Sequence, residues 1–422
     1  MKETPEQCIA PATTSRTQDQ SPQRRRSAAG ILARAAAFAD SLDRHLAGRA
    51  NCLNVVIDDT QDAVHAVVGG RPTLMFGTNS YLGLNFHPAC IAAAVEAAKH
   101  YGTGSTASRV AAGNHRLHVA LEAEIAAFHR RRDGIVFSTG FMANLGVISA
   151  LARKDDAIFV DAHCHASIFD ACRSCGARVT TFRHNDSADL ERLLAASGVA
   201  GAQALVVVEG LYSVSGDIGE LQGIVAAARR HGAVIVVDEA HALGIYGRNG
   251  RGVAEHLGVE DEIDVIVGTF SKSLGVIGGY AVTNAPAFRA MRFMARSYLY
   301  TASLPLPVVA SAREAVRLIA SDRSLRETVW RNAHSLHAGL KALGLRIAAP
   351  AGPVGCIRMD GVNAGYDFWR ALLDRGIYVN LLMPPATPGG DVALRFSVSA
   401  AHTQEHIDAA IAAFREAAAV SR

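Results

Sequence analysis

Between residues 134 and 283 the chain alternates short apolar runs with longer stretches of helical spacing. The runs are Gly134–Ser138, Ala157–Val160, Arg178–Phe182, Ala204–Val208, Val234–Val237 and Val265–Val267, with a short one near Tyr280. They are mostly apolar on both faces and often β-branched, which predicts strands covered on both sides. Between most of them lie helical stretches: Met142–Leu151, Ser167–Cys175, Ser187–Ala196 and Leu221–His231. Buried strands separated by helices predict an α/β fold, a mainly parallel sheet flanked by helices.

The flanks differ. Residues 1–29 are rich in Thr, Ser, Gln and Pro and include Arg24-Arg25-Arg26. They are expected to be a disordered tail. Gly30 to Gly48 has helical spacing, Val64 to Val68 is strand-like, and Gly69-Gly70 marks a turn. Pro88 opens a helix running through Lys99, a Gly/Ser/Thr-rich loop spans Gly102 to Gly113, and another helix covers Leu117 to Phe128. After Pro305-Leu306-Pro307 the pattern turns helical from Val308 to Leu343, then leads into a smaller α+β segment closed by an amphipathic helix, Thr403 to Ala417. The expected division is a tail (1–29), an N-terminal helix with small strands (30–78), a large domain (79–307) and a small C-terminal domain (308–422).

Composition narrows the function. Of 422 residues, 50% are hydrophobic and 19% charged, and the formal net charge is only +3. That balance suits a globular protein and gives no concentrated basic face for nucleic acid. Seven cysteines in so long a chain do not resemble a secreted disulfide framework. No apolar run approaches the roughly 20 residues needed to cross a bilayer. A cytoplasmic protein is expected, with peripheral contact at the inner membrane suggested only by the triple arginine.

In a doubly wound sheet, ligands collect beyond the carboxyl ends of strands. Four polar clusters fall there: Ser138-Thr139-Gly140-Phe141, Asp161 to His165, Asp238-Glu239-Ala240-His241, and Thr269-Phe270-Ser271-Lys272. A lysine placed behind a buried strand loses solvation, which favours its neutral, nucleophilic amine. An aspartate at a neighbouring strand end suits a ring nitrogen that must stay protonated. Hydroxyls and backbone N–H groups near Ser271 and Gly140 suit a phosphate at a helix N-terminus. Asp-Glu-Ala-His also occurs in helicases, but these need a phosphate loop ending in Gly-Lys-Ser/Thr, which is missing here.

Together these motifs resemble the α-oxoamine synthases, fold-type I transferases dependent on pyridoxal 5'-phosphate. The resemblance runs from about Asn79 to His402. It rests on Asn79-Ser80-Tyr81-Leu82-Gly83-Leu84, Gly102-Thr103-Gly104-Ser105, His165-Ala166-Ser167, Asp238 to His241, Gly268 to Lys272, Leu394-Arg395, and Ser399-Ala400-Ala401-His402. Further stretches resemble the branch that takes serine and a long-chain acyl thioester. They are Gly210-Leu211-Tyr212-Ser213 with Gly216-Asp217-Ile218, Tyr300-Thr301-Ala302-Ser303-Leu304-Pro305, and Pro384-Pro385-Ala386-Thr387-Pro388.

The resemblance implies a decarboxylating condensation of an amino acid with an acyl thioester, carried by CoA or by an acyl carrier protein, in a homodimer with shared active sites. It implies that Lys272 forms the Schiff base and moves the α-proton. Asp238 then pairs with the ring nitrogen, His241 with the ring hydroxyl, and His165 stacks on the ring. Gly140, Phe141, Thr269 and Ser271 hold the phosphate, with Thr301 and Ala302 reaching it from the other subunit. Ser213 lies near the ring. Arg395 binds the amino-acid carboxylate, with Asn79, Tyr81 and His165 on the substrate side. One position departs from the pattern: Met383 stands where relatives often carry an arginine before the Pro-Pro pair.

Other readings carry less. Cys172-x-x-Cys175 has zinc-ligand spacing but lies in a helical stretch with no complete ligand set, so no metal is expected. A non-catalytic partner subunit would lack the lysine. An aminotransferase of the same fold would lack the Ser399 to His402 and Pro384 to Pro388 stretches.

Overall fold

Uniformly apolar strands need cover on both faces, and the computed structural model supplies it. It describes residues 30–40, 50–384, 387 and 390–420. The chain divides into two units, Met1–Val55 and Val56–Arg422. In the first, residues 30–40 form a helix, α1, exposed along its length. The expected tail, its triple arginine and the second half of the expected Gly30–Gly48 helix lie outside the described residues.

The second unit opens with β1 (Ile57–Thr60), β2 (His65–Val68) and β3 (Arg71–Met75), followed by α2 (Pro88–Tyr101) and α3 (Arg116–Phe128). The alternating region then gives β4 (Asp133–Phe137), α4 (Gly140–Leu151), β5 (Ala157–Asp161), α5 (Ala166–Ser174), β6 (Arg178–Phe182), α6 (Ser187–Ala196), β7 (Ala204–Glu209), α7 (Leu221–Arg230), β8 (Val234–Asp238), β9 (Val265–Thr269) and β10 (Gly279–Thr283). These strands form one sheet in the order β4-β10-β9-β8-β7-β5-β6. The run from β9 to β6 is parallel, and β10 lies antiparallel to both its neighbours. The sheet is therefore mainly parallel, as the sequence pattern predicts.

Side chains alternate between the two faces. Phe159, Val206, Val208, Ile235 and Val237 join one apolar cluster, while Ile158, Val160, Leu205, Val207 and Val236 join the other. Each such side chain, fully removed from water, contributes about 1.5–3 kcal/mol. This rigid double-sided core fixes where the strand ends, and hence the polar residues just beyond them, can be.

The later segments were less legible. The expected single helical stretch from Val308 to Leu343 is two helices, Leu306–Ser321 and Ser324–Ala342. Asp322 breaks it: its backbone is extended and its carboxylate accepts the Ser324 N–H at 2.8 Å, a local bond that competes with the helix. Beyond lie β11 (Val354–Met359), the helix Val362–Asp374, β12 (Ile377–Tyr378), β13 (Asn380–Leu382), β14 (Val392–Ser397) and the helix Gln404–Val420. β14 is central in the sheet β11-β14-β13. β3 pairs in parallel with β12, Leu74 opposite Ile377, so early and late segments share a sheet.

Candidate active site

A cavity of about 480 Å³ opens at the carboxyl ends of β7, β8 and β9. It is lined by most of the residues expected to act: Asn79, Gly140, Phe141, His165, Ser213, Asp238, His241, Thr269, Ser271, Lys272 and Arg395. Tyr81 lies behind this wall, fully buried. Thr301 and Ala302 do not line it; they border a separate small cavity with Arg109 and His118.

Lys272 follows the end of β9 in a turn closed by the Gly275 N–H on the Lys272 carbonyl at 2.9 Å. Gly275 has φ +71°, and a Cβ there would meet the Asn85 backbone nitrogen at 2.5 Å, so the turn needs glycine. Burial lowers the ammonium pKa of Lys272 to about 8, against the opposing charges of Asp238 and Glu209. The neutral amine is thus available near neutral pH.

Asp238 ends β8 and is 6% exposed. Its carboxylate accepts the Asn144 side-chain N–H at 2.7 Å and the Ala240 N–H at 2.8 Å. The same Asn144 amide donates to Ser167 at 3.0 Å, while its Oδ1 is buried without a partner. Glu239, the next residue in the motif, faces away and accepts the Val253 and Ala254 N–H groups. Its role is to hold that turn.

His241 stands 2.7 Å, through Nδ1, from the Tyr81 hydroxyl, which also donates to Asn79 Oδ1 at 3.1 Å. Tyrosine has one hydroxyl proton, so with that proton on Asn79 it is His241 Nδ1–H that donates to Tyr81. Nε2 is left as an acceptor. Burial, with Lys272, Arg395 and His165 nearby, holds the imidazole pKa well below its usual range, consistent with this neutral tautomer.

His165 caps the N-terminus of α5, its Nδ1 accepting the Ser167 N–H at 3.2 Å. Its own backbone N–H donates to Glu209. Glu209 ends β7 directly beside Asp238 in the parallel register. Burial, then the Asp238 charge, raises its pKa well above the ordinary carboxyl range.

Arg395, from β14, lines the same cavity and is 7% exposed. Its Nε donates to the Ser213 carbonyl at 2.6 Å and its Nη2 to Asn79 Oδ1 at 2.9 Å. Among the described residues it has no carboxylate partner. A buried guanidinium held only by neutral acceptors has the chemistry to receive an incoming carboxylate.

The residues also fit a phosphate. Thr139 caps α4 by accepting the Met142 N–H at 3.1 Å, which leaves the first N–H groups of the helix, at Gly140 and Phe141, facing the cavity. A Cβ on Gly140 would come within 2.9 Å of Thr269 Cβ, so only glycine lets this helix start pack there. Thr269 and Ser271 hydroxyls, 2.9 Å apart, border the same corner.

Asn144, Ser167, Glu209, Val214, Ile277, Asn380 and Leu382 also line the cavity, and the sequence reading did not single them out for it. Glu209 was findable, since it ends a buried strand just as Asp238 does. Asn144 could have been placed one helical turn beyond Gly140. Leu382 lines the wall, whereas Met383 does not. Pro385, Ala386 and Pro388 of the Pro384 to Pro388 stretch lie outside the described residues. Among the described residues, no group of three or more His, Cys, Asp or Glu side chains is arranged to hold a metal.

A sheet of this order with a lysine past one strand end and an aspartate at the next is the arrangement of a fold-type I pyridoxal-phosphate transferase. The family model described as Aminotransferase class I and II matches residues 71–414. Serine palmitoyltransferase of Caulobacter vibrioides (strain NA1000 / CB15N) is 45% identical over 384 residues, 89% of this chain and 95% of that protein. Serine palmitoyltransferase of Sphingomonas paucimobilis is 43% identical over 365 residues, 86% and 87% respectively. A solved structure of SPT with PLP superposes with a TM-score of 0.87 at 40% identity, covering 93% of this chain and 97% of that one. The chain belongs to the aminotransferase class I and II family and, within it, to the α-oxoamine synthases.

Proposed function

We propose that this chain is an acyltransferase that condenses L-serine with a long-chain acyl thioester, with loss of carbon dioxide, to give a 3-keto sphingoid base, the first step of sphingolipid synthesis. One observation carries the reading: Lys272 and Arg395, which has no carboxylate partner among the described residues, line a single cavity.

Pyridoxal 5'-phosphate, when bound, supplies an aldehyde for imine formation and a protonated ring that accepts the electron pair from a broken Cα bond. Lys272, whose neutral amine is favoured by burial, is the residue that would hold the cofactor and would take and return the substrate α-proton. Asp238, fixed by Asn144, would keep the ring nitrogen protonated. His241 Nε2 would accept from the ring hydroxyl, and His165 would pack against the ring. The N–H groups of Gly140 and Phe141, with the Thr269 and Ser271 hydroxyls, would hold the phosphate. Arg395 and Asn79 would grip the substrate carboxylate and so fix the orientation of the amino acid's Cα toward Lys272. Tyr81 steadies Asn79 and His241 together, and Ser213 fixes Arg395.

The enzyme works as a homodimer with shared sites. Thr301 and Ala302, which do not line the cavity of their own chain, would reach the phosphate of the partner's site. The neighbouring Tyr300 is 75% exposed, as a surface meeting a second copy requires. The acyl donor is an acyl-CoA or an acyl carrier protein thioester. No helix among the described residues is long and apolar enough to cross a membrane. A cytoplasmic enzyme with peripheral contact through Arg24-Arg25-Arg26 fits this reading.

The test is a matrix of serine, glycine and alanine against acyl-CoA esters of different length, scored by free thiol and carbon dioxide. Serine with palmitoyl-CoA should give both in equal amounts. Thiol release with glycine or alanine but not serine would transfer the chain to another branch of the family. Formation of a keto acid would make it a transaminase.

A further inference from the structure

Beside the cavity, and outside the machinery just assigned, is a partly buried charge cluster built around His184. Its ring is held on both nitrogens. Nδ1 lies 2.9 Å from Asp161, at the end of β5, and Nε2 lies 2.8 Å from Asp217. Asp161 is fully buried. Every other contact of these two carboxylates is also a donor. Asp161 accepts the N–H groups of His163 and Asn185, both at 2.8 Å, and Asp217 accepts the Asn185 amide at 2.9 Å and the Ser215 hydroxyl. Acceptors on both ring nitrogens require both to carry protons, so His184 is an imidazolium. His163 stacks on it at 3.9 Å and Tyr212 meets it edge-on at 4.5 Å.

Asp217 belongs to the turn that carries Ser213. That turn is closed by Tyr212 N–H on the Asp217 carbonyl and Gly216 N–H on the Tyr212 carbonyl, both at 3.0 Å, and by the Leu211–Ile218 bridge. Asn185 adds a bond to the Ile218 carbonyl at 3.0 Å. The Ser213 carbonyl in this turn takes the Arg395 Nε–H. An unbroken series of contacts thus runs from the end of β5 through His184 to the guanidinium.

We infer that His184 is a positioning residue: as a cation clamped between Asp161 and Asp217, it fixes the Ser213 turn and thereby aims Arg395 at the substrate carboxylate. The inference rests on the reading of Arg395 as the carboxylate receptor. Burial opposes the charge, but the two carboxylates raise the His184 pKa from 6.5 to about 9. A pKa raised on folding means that the clamp is complete below about pH 6.5 and is lost as pH climbs through about 9. Among the described residues, Asp161, Asp217, His163 and Tyr212 are the titratable groups in contact with the ring.

The experiment uses the cofactor-loaded enzyme. Amino-acid binding is titrated by the change in cofactor absorption, and turnover is measured with acyl-CoA. His184→Gln should weaken amino-acid affinity and raise its KM about tenfold, with kcat within about twofold and the absorption of the lysine-bound cofactor unchanged. Asp217→Asn should do the same, and the double variant should be no worse than His184→Gln alone, because both remove one clamp. Unchanged amino-acid affinity in a folded, cofactor-loaded His184→Gln enzyme overturns the inference, as does a fall in kcat at constant KM or additive loss in the double variant. If wild type responds to another amino acid instead of serine, the proposed substrate fails while the clamp is still tested with that amino acid.

Discussion

The two walls of the cavity are built in different ways. The cofactor wall comes from neighbouring strand ends of one sheet: Glu209, Asp238 and Thr269 end β7, β8 and β9, and Lys272 follows at once. The carboxylate wall is assembled from Asn79, the Ser213 turn, Asn380 and Arg395, which the chain separates by up to 316 positions. The first wall inherits its precision from a double-sided apolar core. The second depends on a few hydrogen bonds between segments that meet only in the folded protein. On the proposed reading, chemistry is therefore fixed by the sheet, and recognition by side-chain bonds that substitution can retune.

This contrast can be broken at its strongest point first. Lys272→Ala should reduce turnover by roughly 10³-fold or more and abolish the absorption of the lysine-bound cofactor, measured by steady-state assay and visible spectrum. A variant that keeps both would dissolve the cofactor wall as drawn. Next in size, Arg395→Gln should raise the amino-acid KM about 100-fold while the cofactor spectrum stays intact, the loss expected for one buried charge-assisted contact. Equal damage to cofactor binding would mean that the two walls are not separable.

A smaller effect sharpens the lysine's side. Because the Lys272 pKa lies near 8 rather than 10.5, cofactor capture by the apoenzyme should rise about tenfold per pH unit below 8 and level off above it. Stopped-flow absorbance reads this directly. A rise continuing to pH 10 would mean that the amine is not desolvated. Smallest of all, Met383→Arg should shift amino-acid affinity by about threefold, the scale of a partly solvated ion pair. Met383 is half-buried beside Leu382 rather than on the cavity wall. Unchanged affinity would remove this position from recognition.

Much of the first wall was legible because strand ends are written in the sequence as an apolar run followed by a polar residue. Asp238 and Lys272 follow that rule, and so does Glu209, which was passed over. Arg395 was marked only by resemblance, since nothing in Leu394-Arg395 tells a buried guanidinium from a surface one. Asn144, inside an apolar helix, gave no local sign that its amide would meet Asp238. His184 lies in a polar loop, where a solvent-exposed imidazole is the ordinary expectation.

By itself, the sequence determined the alternation of strands and helices, the sheet that follows from it, and the residues that stand at the strand ends, because hydrophobic periodicity is a local property of the chain. Only the tertiary structure decided that β3 would pair with β12, that Asn79 and Arg395 would share a hydrogen bond, and that Asp161 and Asp217 would close on His184. Those contacts join segments far apart along the chain, and their geometry exists only once the core has packed. Burial then sets the charge states, lowering Lys272 and His241 and raising Glu209, because desolvation is a property of the folded interior.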